Sequence, residues 1–198
     1  MASLHEAPVH KLRPTQLTVG MIEVHDKQKH LESLAPAAQR DFMAVHPIPA
    51  VKGPGDQLFI TDHHHLARAA QDAGVESGFF QVEADFSAYD EGRFWPEMDK
   101  HAWVHPLDRH GVRHYYTLIP KHVSQLEDDV YRSLAGYVRN AGGYDKTPTA
   151  FAEFVWADFF RRSIPVEAVQ ADFSEAVTQG CALALSDQAK GLPGYRGK

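Results

Sequence analysis

The 198-residue sequence contains a single cysteine, Cys181. This excludes an internal disulfide framework and a cysteine-built zinc site. Positive charge is also in short supply, with 20 lysines and arginines against 26 aspartates and glutamates and a formal net charge of -6. Such a balance argues against broad, sequence-blind binding to DNA or to an anionic membrane, while leaving room for a local basic groove. No apolar run approaches the length of a membrane span, so no membrane partner is expected. The first eleven residues lack an apolar centre and read as a polar leader, which makes the cytoplasm the expected location. What remains is ordinary globular material: 43% hydrophobic and 23% charged residues are enough to build a core and too apolar for general disorder.

No internal repeat is present. Residues 17–24 read as a strand through Val19, Met21 and Ile22. Residues 27–43 carry Leu31, Leu34, Ala38 and Phe42 at helical spacing, with Pro36 as a break or the start of a second piece. Two short runs, 48–52 and 57–61, flank Gly53-Pro54-Gly55-Asp56 and predict a hairpin. A helix is expected from Asp62 or His63 to Ala73, with Gly74 as its stop. A strand over 79–86, a helix over 93–103 and a strand pair around Gly111 within 107–119 follow. Val123, Leu126, Val130, Leu134 and Val138 then fit one helix face. Thr147-Pro148 predicts the cap and first residue of another helix bearing Phe151, Phe154, Val155, Phe159 and Phe160, and Pro165 opens a last one toward Leu185. The expected organisation is a leader over 1–11, a small α/β (α+β) domain over 12–119 with a mixed sheet and helices, a helical extension over 120–185, and a tail over 186–198 rich in glycine, proline and lysine that should fray.

The chemistry concentrates where a strand meets a helix, in Asp62-His63-His64-His65. A helix start presents backbone N–H groups and the positive end of the macrodipole, which favours an anion such as phosphate. Histidines add donors there, and Arg68, about one turn on, carries a planar fork suited to phosphate oxygens. Asp62 suits either the helix cap or a magnesium ion beside a phosphate. A transition-metal cage is awkward, because consecutive histidines on a helix point apart and only Asp62 and His65 stand at i, i+3. The bland alternative divides the three histidines into one that caps, one that packs and one that is solvated. The strand–aspartate–histidine–helix context favours a site. Outside it, Glu23 is the best alternative carboxylate base, beside Asp26 and Lys27. Arg132 and Arg139 suit either a functional role or pairing with Asp128 and Glu127, and structural pairing is the favoured reading. His101, His105, His110 and His114 stay unassigned.

The run Leu58-Phe-Ile-Thr-Asp-His-His-His65 followed by Ala67-Arg68-Ala69-Ala70 resembles the phosphate-binding box of the ParB/sulfiredoxin superfamily, and Leu12-Arg-Pro-Thr-Gln16 resembles the segment that opens that fold. His63 stands where these proteins usually carry glycine. Asp62, His64 and His65 match the Asp-Gly-His-His of the superfamily's free-serine kinases. The segments Asp128-Asp-Val-Tyr-Arg-Ser-Leu-Ala-Gly136, Gly142-Gly-Tyr144 and Phe151-Ala-Glu-Phe-Val-Trp-Ala-Asp-Phe-Phe-Arg161 extend the resemblance to the ParB-like nuclease family, over about residues 12–164.

The resemblance implies an enzyme that binds ATP or ADP with magnesium and hydrolyses or transfers phosphate. In that reading Asp62, His63, His64, His65 and Arg68 hold the phosphates, Asp62 meets the metal, and His64, His65, Glu23 and Gln16 form the catalytic group. The alternatives are a metal-dependent nuclease acting on DNA and a non-catalytic nucleotide-sensing or protein-binding module. A sulfiredoxin needs a cysteine near the position of His64, which is absent. The kinases use a glutamate where this chain has Gln16, and a glutamine is not a general base.

Overall fold

The structure, a computed structural model, describes residues 4–197. The first three residues of the expected leader, and Lys198 of the expected tail, lie outside the described residues. In chain order the elements are β1 (Leu4–Pro8), β2 (Thr18–Val19), α1 (Met21–Glu32), α2 (Pro36–Val45), β3 (Ile48–Lys52), β4 (Leu58–Ile60), α3 (His64–Asp72), β5 (Ser77–Asp85), α4 (Glu91–Lys100), β6 (Glu127–Asp128), α5 (Val130–Asn140), α6 (Ala152–Ser163), α7 (Val166–Ala171) and α8 (Phe173–Ala184). Two compact units result. One comprises the chain up to Thr18 together with Val24–Glu127, the other Val19–Glu23 with Asp128–Lys198.

The first unit is built on a four-stranded mixed sheet in the order β1-β5-β3-β4. β3 and β4 form the expected antiparallel hairpin, with Ala50 opposite Ile60. β3 runs parallel to β5, and β1 pairs antiparallel with β5 along the other edge. The sequence suggested no element so close to the N-terminus, because Leu4-His-Glu-Ala-Pro8 lacks strand alternation; its pairing comes from the exposed edge of β5. α2 starts on Pro36, whose missing N–H costs nothing at a first helical position. Asp90 caps α4 by accepting the Arg93 N–H at 2.9 Å. One core of this unit gathers Val51, Phe59, Phe94, Trp95, Met98, Val104 and Ile119.

The second unit is helical. Its core joins Leu134, Val138, Tyr144, Trp156, Phe160, Val169 and Ala184 from α5, α6, α7, α8 and the segment between α5 and α6. The aromatic stripe on α6 is core, as its spacing indicates, and Trp156 is fully buried and stacked on Tyr144 at 4.2 Å. The glycine- and proline-rich segment after Ser186 packs onto this core. Ala189 is buried, the Trp156 indole donates to Pro193 O at 2.7 Å, and Tyr195 forms a bridge with Tyr144.

Several boundaries differ from the pattern, each for a local reason. The strand expected over 17–24 is only Thr18–Val19, because the Met21 N–H donates to Asp128 Oδ1 at 2.9 Å and a helix begins there. The helix expected from Val123 starts at Val130, capped by Asp129, which accepts the Tyr131 N–H at 3.1 Å. The Thr147 hydroxyl accepts the Thr149 N–H within a turn rather than capping a helix, and α6 begins after a left-handed Phe151. The last helix is two, divided where Asp172 is extended and accepts the Glu175 N–H at 3.0 Å. Around Gly111 a single bridge, Leu107 to Arg113, replaces the expected strand pair, and a short 3-10 turn covers Tyr116–Leu118.

Candidate functional site

β4 ends at Ile60, and the chain has three residues in which to turn before α3 begins at His64. The opening segment sets the position of this corner. Arg13 runs beside β4, donating its N–H to Leu58 O and accepting from the Ile60 N–H, both at 2.9 Å. The Thr61 N–H is held by Pro49 O at 3.0 Å, and its hydroxyl donates to Glu83 at 2.7 Å. The reversal then falls on His63, which adopts the left-handed conformation, φ 59° and ψ 29°. That region favours glycine, so a residue with a Cβ is held there under strain.

His63 is the N-cap of α3 and provides no side-chain cap. Asp62, which the sequence offered as a cap, instead accepts the N–H of its neighbour His63 at 2.7 Å, one residue too early to cap the helix. Asp62 and His63 are exposed, whereas His64 and His65 are buried at 5% and 8% exposure. The small residues Ala67, Ala69 and Ala70 let α3 approach the rest of the unit closely, and Gly74, with φ 71°, ends the last turn.

His64 is held by the opening segment. Its Nε2 accepts the Thr15 N–H at 3.1 Å and lies 3.3 Å from the Thr15 hydroxyl, which itself donates to Ile60 O at 2.8 Å. Thr15 is therefore the residue that sequence reasoning missed. It lies inside the segment that resembles the opening of the superfamily fold, but nothing in its type marks it. Gln16, next to it, is buried at 5% exposure and bridges to His105 through the backbone.

Arg68 has bonding partners of its own, and Glu23 lies in the other unit. The Arg68 Nε donates to Asp72 at 2.7 Å, and its Nη1 donates to Leu126 O at 2.8 Å. Asp72 lies one turn toward the C-terminal end, so the guanidinium reaches away from the start of α3. Glu23 belongs to the second unit, where its Oε2 would lie 2.9 Å from a Cβ added at Gly136.

Among the described residues, no group of three or more histidine, cysteine, aspartate or glutamate side chains is placed to hold a metal ion. His114 instead pairs with Asp108 at 2.7 Å, and His101 stacks on Trp103 at 4.5 Å. The Asp108 carboxyl is pulled up by partial burial but held down to about 2 by His114 and by the N–H groups of Val112 and His110.

In the second unit Arg139 pairs with Glu153, not with Glu127 or Asp128 as the helical spacing suggested. Asp129 pairs with Arg161 at 2.5 Å, and the Arg132 guanidinium lies 3.5 Å over the Phe154 ring. Burial pushes the Asp129 carboxyl up in spite of Arg161 and Arg132. These groups have structural partners, as the sequence reading favoured, although the partners themselves are different.

The family described as "Putative ParB-like nuclease" matches residues 5–162. The chain belongs to this family. Its structure is similar to that of protein Atu1540 from Agrobacterium tumefaciens, with a TM-score of 0.93 and 41% identity over 99% of this chain and 97% of that one. A slighter likeness, with a TM-score of 0.33 and 12% identity over 94% of each chain, is to the C-terminally truncated chromosome-partitioning protein ParB from Caulobacter crescentus complexed with CTP-gamma-S. A comparison with curated proteins found no match. The mixed α/β architecture of this ParB-like chain thus agrees with the fold class read from the sequence. Among the described residues, no helix is long and apolar enough to cross a membrane.

Proposed function

We propose that this ParB-like protein binds the phosphates of a nucleotide, ATP or ADP, at the start of α3. The observation that carries the reading is the junction itself: an exposed, left-handed His63 opens the helix without a side-chain cap. First-turn N–H groups converge there, and the helix dipole adds its positive end, which together suit a phosphate. His63 lies at the mouth, with His65 in the first turn of the helix. Magnesium fits as a passenger of the nucleotide. It keeps several waters and takes phosphate oxygens readily, so Asp62 needs to supply at most one further oxygen.

Hydrolysis or transfer of the phosphate is the finer form of this proposal. It needs an activated water or hydroxyl, and the buried Gln16 can orient one but cannot deprotonate it. The family description favours a second reading, in which the phosphate belongs to a DNA backbone and the bond broken is a phosphodiester.

A thermal-shift screen decides first. At a ligand concentration about a hundredfold above Kd, binding adds about 2.7 kcal/mol. For a chain of this length that corresponds to a rise of roughly 5–10 °C. ADP or ATP with magnesium should produce it, and His64→Ala should remove most of it. No shift with any nucleotide would sink the proposal. Metal-dependent plasmid nicking that is lost in Asp62→Ala, without a nucleotide shift, would select the nuclease reading.

A further inference from the structure

We infer that Thr15 is a positioning residue that fixes His64 as a single neutral tautomer with its proton on Nδ1. Its bearing on function rests on the proposal that α3 opens a phosphate site. The contact between the two residues decides the tautomer. A backbone N–H can only donate, so the Nε2 that lies 3.1 Å from the Thr15 nitrogen must accept. The Thr15 hydroxyl spends its one hydrogen on Ile60 O at 2.8 Å and has none left for the ring, which it approaches only at 3.3 Å. A proton on Nε2 would face the hydrogen of the amide head-on. Both the other neutral tautomer and the imidazolium are disfavoured by that single contact. Thr15 and His64 are buried at 1% and 5% exposure, so water does not readily replace it.

The consequence is a division of labour among the three histidines. His64 was expected to add a donor beside a phosphate. Held in this way, its ring offers its donor at Nδ1 and not at Nε2. Charge on a bound phosphate is then met by the helix start, by magnesium, and by the neighbouring histidines. Thr15 also joins three segments at one point, because the residue that orients His64 is bonded to the last residue of β4 and accepts the His105 N–H through its own carbonyl at 2.9 Å.

The test is a nitrogen NMR spectrum of the full chain with 15N-labelled histidine, with the His64 signals identified by their loss in His64→Gln. Wild type should show Nε2 at a shift typical of an unprotonated ring nitrogen and Nδ1 at one typical of N–H. Thr15→Ser should keep that pattern. Thr15→Pro, which deletes the amide hydrogen, should give averaged shifts from two tautomers and weaken Mg·ADP binding on the order of tenfold. A wild-type spectrum with a protonated Nε2, or with averaged shifts, overturns the inference, and it does so whether or not Thr15→Pro folds. The two proposals separate cleanly: an intact Nδ1–H signature with no Mg·ADP binding removes the phosphate reading and supports the role of Thr15.

Discussion

Replacing His63 with glycine should stabilise the protein. His63 sits at φ 59° and ψ 29°, where a Cβ crowds the following carbonyl oxygen. That conformation costs an L-residue about 1–2 kcal/mol, and glycine almost nothing. Against this gain stands the extra freedom that glycine gives the unfolded chain, about 0.4–1 kcal/mol. His63 is exposed and provides no cap, so little contact energy is lost with its ring. The balance is a stabilisation of roughly 0.5–1 kcal/mol from the two magnitudes just given. Over a chain of this length that raises Tm by about 1–4 °C. His63→Ala is the control, because it removes the imidazole and keeps the Cβ; it should stay within about 0.5 kcal/mol of wild type. Urea unfolding of the three proteins at equal slope measures the order directly. The reasoning fails if glycine is no more stable than alanine, since strain at this φ would then not be what the helix start pays. Nucleotide affinity of the same variants adds a second result: retained binding in His63→Gly assigns the anion to the backbone rather than to this ring.

Other outcomes follow from groups whose partners are known. Arg161→Met leaves the buried Asp129 without its closest cation and should cost about 3–5 kcal/mol at neutral pH in urea unfolding, with Asp129→Asn in the same chain restoring much of the loss. Because burial raises the Asp129 carboxyl above its unfolded value of about 3.8, the folded state holds that proton more tightly; that contribution is full below the unfolded value and is lost as pH rises through the raised one. Removing Arg161 takes away a cation that lowers this carboxyl, so the Arg161→Met deficit should be small where Asp129 is protonated in both proteins and grow as pH rises through the wild-type folded value. Gly194→Ala should destabilise the second unit by at least about 1 kcal/mol and loosen the bridge near Tyr195, because φ is 77° and a Cβ would lie 2.1 Å from Asp145 O; wild-type hydrogen-exchange rates there would refute it. Arg68→Ala should lower stability by about 1–3 kcal/mol by leaving Leu126 O without its donor, yet bind Mg·ADP with nearly wild-type affinity. Lost binding at unchanged stability would return Arg68 to the phosphate.

Periodicity located the elements best where each was decided by its own residues. The β3–β4 hairpin is written in Gly53-Pro54-Gly55-Asp56, and α3 in its alanines and Gly74. Boundaries were lost where the deciding partner is remote in sequence. Met21 begins a helix because Asp128 holds its N–H, and no window around Met21 contains that information. The segment after Ser186 has a fraying composition, but Trp156 and Tyr144 supply the contacts that hold it. Charged pairs followed the same rule. Arg139 has acidic residues nearer in sequence, yet pairs with Glu153 of the next helix.

The junction that carries the proposed site was legible in the sequence, whereas the bonding of its side chains was not. The pattern of strand, aspartate, three histidines and helix places a helix start under exposed polar residues, and the fold has that junction. Roles depend on directions that spacing does not supply. Arg68 is one turn from His64 in the sequence, but a helical side chain that meets its i+4 partner leans toward the far end, so the residue that most resembled a phosphate clamp braces α3 instead. His64, which was expected to hold a phosphate, accepts the Thr15 N–H through Nε2. On the proposed function, with both residues so bonded, anion recognition at α3 would rest on the backbone geometry that His63 creates more than on any one cation. A site of that kind tolerates changes in side-chain charge and is sensitive to the corner between β4 and α3, which is why Thr15, a residue that need not touch the ligand, is bonded into that corner at both Ile60 and His64.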